Sequence, residues 1–228
     1  MMKSYEFLSH SHRKAFEEFN RDIKAVHGIN YYCAPALISI NGAIIEGLIR
    51  SFLVELLEFE LDSTYKKKVG KITTAMLQKA RYDVEHQGGW EKLNQQYSLY
   101  IGQTIKDIVG DDDFRSLSIL FKLRNVFSHG TCAIEPLDTM ADEHKEYYPY
   151  KWQTKMQDVN SYCKEKFGND SYVDAVAIYE FPIHFFEVSK RVATNFGENF
   201  KGLHDRVYEV VHEINVVDFG RKKLYAFL

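Results

Sequence analysis

Three side chains suited to phosphate chemistry sit close together between Phe114 and Gly130: Arg124, Asn125 and His129. At about 100° per residue, Arg124 falls between Leu117 and Leu120 on a helical wheel, with Phe121 and Phe127 nearby. A guanidinium is thereby placed inside an apolar arc. Leaving it unpaired there would cost several kcal/mol, on the order of breaking a buried ion pair. Arg124 must therefore meet a carboxylate, a phosphate or a water-filled cleft. His129 lies about 140° around from Arg124, so the two cannot converge on an unbroken helix. Gly130 suits the left-handed position after a helix end and would release the imidazole, while Asn125 shares a face with His129. Such a set can stabilise phosphorane charge, orient an oxygen and move a proton. Two structural alternatives stand beside this: His129 capping the last carbonyls of its helix, and Arg124 in a buried ion pair.

Glu46 and Arg50 stand four apart, Glu first, the stabilising order on a helix. The pair reads as structural, with Glu46 expected to reach across the bundle to Arg124. From Thr64 to Arg81 there are six basic residues and no acidic one. Within that strip Lys66, Lys67, Lys68 and Lys71 are candidate RNA contacts, or else a solvated helix start. His184 and Glu187 have the spacing of a metal pair but lack a third ligand, and His10, His12, His204 and His212 read as surface or core residues. Cys33, Cys132 and Cys163 form no CxxC pair, which speaks against a disulfide scaffold and a zinc knuckle. No metal site and no cofactor is expected. Phosphate-loop, dinucleotide-binding and serine-hydrolase motifs do not occur. Tyr147, Tyr148, Tyr150 and Trp152 offer rings on which bases could stack.

The elements that must position these residues are helical. Apolar spacing predicts helices over 11–26, 33–61, 71–86, 90–109 and 113–128, the second long and apolar over most of its circumference. Asp62, Ser63 and Thr64 are expected to end that second helix, and Asp111 to Asp113 to open the fifth. Residues 131–180 read as an irregular insertion in which 171–181 has the pattern of a short strand. Helical spacing returns over 181–228 and completes the bundle. The expected fold is all-α, one domain over 1–228, with a short irregular or β excursion. A hydrophobic share of 45% with 27% charged residues excludes wholesale disorder. Charged residues interrupt the most apolar run, 33–57, so it does not read as a membrane span, and no apolar leader precedes it. A reducing cytoplasm is the expected compartment.

The string from Arg124 and Asn125 to His129 and Gly130 resembles the R-x4-6-H signature of the HEPN superfamily. Glu46-x3-Arg50 is similar to the acidic-x3-basic pattern on an early helix of the same superfamily. The resemblance covers about residues 33–130. It implies a helical bundle that pairs as a homodimer, lining a shared cleft with both copies of the motif. It further implies metal-independent endoribonuclease activity in toxin–antitoxin, phage-defence or RNA-processing systems, with an antitoxin protein as a possible partner. Attack of the RNA 2′-OH on the adjacent phosphorus would leave a cyclic phosphate, with His129 as general acid or base, Arg124 clamping the phosphate and Asn125 positioning it. The alternatives are a catalytically inactive RNA-binding, nucleotide-binding or dimerisation module, and an interaction protein in which the motif is coincidental.

Overall fold

A computed structural model describes residues 33–67, 70–129, 139–147, 151–178, 180–200 and 211, with side chains at 33, 129 and 151–154 left aside. The expected helices over 11–26 and 203–217 lie outside these residues, apart from Val211. The described elements are α1 (Cys33–Lys66), α2 (Lys71–His86), α3 (Trp90–Ile101), α4 (Ile105–Val109), α5 (Asp111–His129), α6 (Asp142–Lys145), α7 (Lys151–Phe167), α8 (Tyr172–Ala175) and α9 (Glu180–Asn199). Among the described residues there is no strand. The all-α expectation therefore holds for this part of the chain. Of the described residues, 43–114 and 189 onward form one compact unit, and 33–42 with 115–188 form another.

Helix α1 is 34 residues long, about 50 Å at the usual rise. Leu37, Asn41, Ile45, Leu48 and Phe52 recur along it at steps of three and four, each at most 1% exposed. By length and mean hydropathy alone α1 could cross a bilayer. The same composition serves a core helix, and most of its apolar side chains are buried within the protein. The helix runs past its expected end. Thr64 donates its hydroxyl to the Glu60 carbonyl at 2.8 Å, and the Lys67 amide reaches Ser63 O at 3.0 Å. Turn-forming side chains are thus satisfied inside the helix rather than breaking it.

The helix expected over 90–109 is two helices. Gly102 adopts φ 75° at the end of α3, and Thr104 opens α4 with a reciprocal capping box to Asp107. Such a box satisfies two orphan donors at once, and the Thr-x-x-Asp spacing carried the signal for it. The strand expected over 171–181 is replaced by α8. Ser171 caps it, accepting from the Val173 amide at 3.2 Å, while its own carbonyl accepts from the Ala175 amide at 3.0 Å. Local capping outweighs the β-branched content of this segment. Within the expected irregular insertion, α7 buries Met156, Val159, Tyr162 and Cys163 on one face. That stripe eluded the hydropathy pattern because Tyr and Cys carry half of it.

In the first unit, aromatic rings pack between helices. Phe52 meets Phe196 edge-on at 6.2 Å, and Tyr97 lies 5.7 Å from Phe196. Arg191 holds Asp113 with two nitrogens, at 2.7 and 3.1 Å, a geometry that fixes orientation as well as charge. The second unit has its own cluster, where Phe181 lies 5.2 Å from both Phe167 and Phe185.

Several polar side chains are buried, and Asn41 is the most enclosed of them. Asn41 is fully buried, and among the described residues neither atom of its amide has a hydrogen-bond partner. Burying an unsatisfied amide costs about 1–3 kcal/mol on mutational scales. Asn41→Leu is therefore expected to raise stability by about 1 kcal/mol, read as a higher urea midpoint at unchanged slope. A lower midpoint would show that the amide is satisfied.

Candidate functional site

Helix α5 opens on three carboxylates and closes on His129. Its inward face carries Leu117, Leu120 and Leu123, all fully buried. Arg124 follows directly, and its environment is built within the second unit. An ideal Cβ at Gly42 of α1 would stand 2.9 Å from Arg124 Cδ and 3.5 Å from its Cγ. The aliphatic stem of Arg124 thus lies along α1 at a position where that helix has no side chain. The guanidinium carbon sits 5.9 Å from the centre of the Phe121 ring. Arg124 remains partly exposed. This is an arginine whose stem packs along apolar surface.

Asn125 is likewise partly exposed. Helix α5 is unbroken through His129, its last residue, so positions 124 and 129 are about 140° apart around its axis. The imidazole, and the Gly130 turn expected to release it, lie outside the described residues.

Glu46 and Arg50 belong to the first unit, where their work is structural. Arg50 Nη2 donates to Glu46 Oε1 at 2.7 Å. Its Nη1 donates to the carbonyls of Val84 and, at 3.2 Å, Gln87. Those oxygens belong to the end of α2, where helix carbonyls lack intrahelical donors. Glu46 orients the guanidinium and Arg50 closes α2. Glu46 thus has one partner four residues along its own helix.

Lys66, Lys67 and Lys71 are exposed, also on the first unit, and Lys68 lies outside the described residues. Of the stacking rings, Tyr147 is 69% exposed, while Tyr148, Tyr150 and the Trp152 side chain are not described. The described residues contain no group of three His, Cys, Asp or Glu placed to hold a metal ion. The His184–Glu187 pairing gives way to a different contact, since His184 Nε2 lies 2.6 Å from Tyr162 Oη. The same phenol is 2.6 Å from Ser116 Oγ.

This relay joins α5, α7 and α9, and the sequence pattern did not reveal it. Burial pushes the Tyr162 phenol up to about 12, against the pull of its Ser116 bond. The phenol therefore stays protonated at working pH, and its single proton serves one of the two contacts while its oxygen accepts in the other. Burial also lifts the neighbouring Cys163 thiol to about 12, leaving it unreactive. Two ion pairs flank the relay on the same helices, Arg115 with Glu165 and Lys122 with Asp158, each at 2.7 Å.

The chain matches no family model, no curated protein and no solved structure. The site therefore rests on its own geometry.

Two outcomes test that geometry. Alanine is favoured over glycine in a helix interior by about 1 kcal/mol, yet Gly42→Ala should show no such gain in urea unfolding, because its Cβ displaces Arg124. In an Arg124→Ala background the gain should return, giving a coupling of about 1 kcal/mol in a double-mutant cycle. Tyr162→Phe removes the hydroxyl shared by Ser116 and His184 and should cost about 1–3 kcal/mol in the same assay.

Proposed function

We propose that this protein is a metal-independent endoribonuclease of HEPN type, in which Arg124, Asn125 and His129 act on RNA. The observation that carries the reading is Arg124 itself. It is a partly exposed arginine at the end of a core helix, with its stem held against Gly42 and its neighbours Asn125 and His129 on the same last turns. A cation so oriented is poised for an anion, because its side-chain entropy is already lost before the ligand arrives.

In the proposed reaction the RNA 2′-OH attacks the adjacent phosphorus and the 5′-oxygen leaves, giving a 2′,3′-cyclic phosphate. His129 takes or gives the proton, its ordinary pKa of about 6.5 lying near working pH. Arg124 stabilises the charge that builds on the non-bridging oxygens, and Asn125 orients the phosphate. Positions 124 and 129 diverge around α5, which favours a composite site: a second copy of the chain supplies the complementary residue across a homodimer. The setting proposed is cytoplasmic, in toxin–antitoxin, phage-defence or RNA processing, where an antitoxin protein could bind it.

One observation favours a second reading, a catalytically inactive RNA-binding or dimerisation module. The contacts of Arg124 with Gly42 and Phe121 suit a residue retained for packing.

Incubation with RNA in EDTA separates the two. The nuclease yields cyclic-phosphate ends, and Arg124→Ala and His129→Ala each lower the rate by about 100-fold or more with circular dichroism unchanged. A fold lost in Arg124→Ala, with His129→Ala silent, supports the inactive module instead.

A further inference from the structure

Helix α2 leaves an apolar face without cover. Val84 is the one residue of its 16 that is buried. Ile72 is 78% exposed and Met76, one turn further on, 68%. These two neighbours share a strip about 40° wide. Large apolar side chains presented side by side, rimmed by charge, mark interaction surfaces.

The rim has one sign. No Asp or Glu occurs between Ser63 and Tyr82. Lys66, Lys67 and Lys71 are exposed, and among the described residues none of them forms an ion pair. Further along α2 the cations are already matched, Lys79 by Asp83 and Arg81 by Glu58 and Glu85. Exposed lysines outside any ion pair among the described residues thus lie next to Ile72 and Met76 in the chain, with Glu60 and Asp62 of α1 the exposed carboxylates before them.

That sign decides the occupant. A second copy docked on Ile72 and Met76 by a two-fold axis would bring the Lys71 of each chain toward the other's lysines. Like charges so placed disfavour the pairing. Single-stranded RNA would satisfy the lysines but set phosphates against two aliphatic side chains. Of the rings nearby, Tyr82 already stacks one face on His86 at 4.1 Å. An amphipathic helix with carboxylates beside its apolar face fits both features.

We propose that the Ile72–Met76 face of α2, with Lys66, Lys67 and Lys71 around it, docks an acidic amphipathic helix of a partner protein. Apolar side chains of the partner at three-and-four spacing cover Ile72 and Met76, and its flanking carboxylates meet the lysines. This inference does not use Arg124, Asn125 or His129, and it assigns to a protein partner lysines that the ribonuclease reading offers as RNA contacts.

The probe is a synthetic amphipathic helical peptide with leucine on one face and glutamate on both flanks, titrated by fluorescence anisotropy with the full chain. A second peptide carries lysine at every glutamate. The glutamate peptide should bind, more weakly as salt rises, and lose about tenfold or more in affinity to Ile72→Asp/Met76→Asp. Lys66→Glu/Lys67→Glu/Lys71→Glu should reverse the preference toward the lysine peptide. Three results would overturn the proposal: no binding of the glutamate peptide, binding indifferent to both variants, or a dimer in sedimentation that the Ile72→Asp/Met76→Asp variant dissociates. Loss of poly-U binding in that same variant, without loss of peptide binding, would assign the face to RNA.

Discussion

Helix α1 has no Cβ at position 42, and the stem of Arg124 occupies that space. Any other residue there would push against Arg124 Cδ at 2.9 Å. A long arginine beside an apolar helix ordinarily has many rotamers, and choosing one costs up to about 2 kcal/mol of entropy. Packing the stem makes that choice in the folded protein. The position of Arg124 is thereby set by packing rather than left to solvent, which distinguishes it from an ordinary surface charge.

The remaining polar contacts of the second unit keep the helices around Arg124 in register. Ser116, Tyr162 and His184 come from three helices, and their 2.6 Å contacts set the rotation of each helix about its own axis. Apolar packing is non-directional and tolerates small slips. A buried phenol that must meet two partners does not. The ion pairs Arg115–Glu165 and Lys122–Asp158 tie α5 to α7 at the surface, where each contributes at most about 1 kcal/mol. Orientation, more than stability, is what this polar set supplies.

In the first unit the division of labour differs. Arg50, held by Glu46, spends its donors on the carbonyls ending α2. An acidic-x3-basic pair on an early helix thus has a structural role within its own unit. The stretch of α2 bearing Ile72 and Met76 buries little of its own surface, so its apolar side chains remain available to another molecule.

The amino-acid sequence alone determined that the described chain is helical, and placed α2 at its observed limits and α5 to within two residues at its start. It also put Arg124, Asn125 and His129 at the end of α5. These features arise from apolar spacing and caps that act within a few residues. Propensity misled where a local hydrogen bond intervened, as Thr64 prolonged α1 and Ser171 turned an expected strand into α8. Only the tertiary structure decided that Gly42 seats Arg124, that Tyr162 engages His184, and that Arg50 closes α2. Each joins residues far apart in the chain, and their meeting depends on how whole helices pack, which no short window of residues encodes.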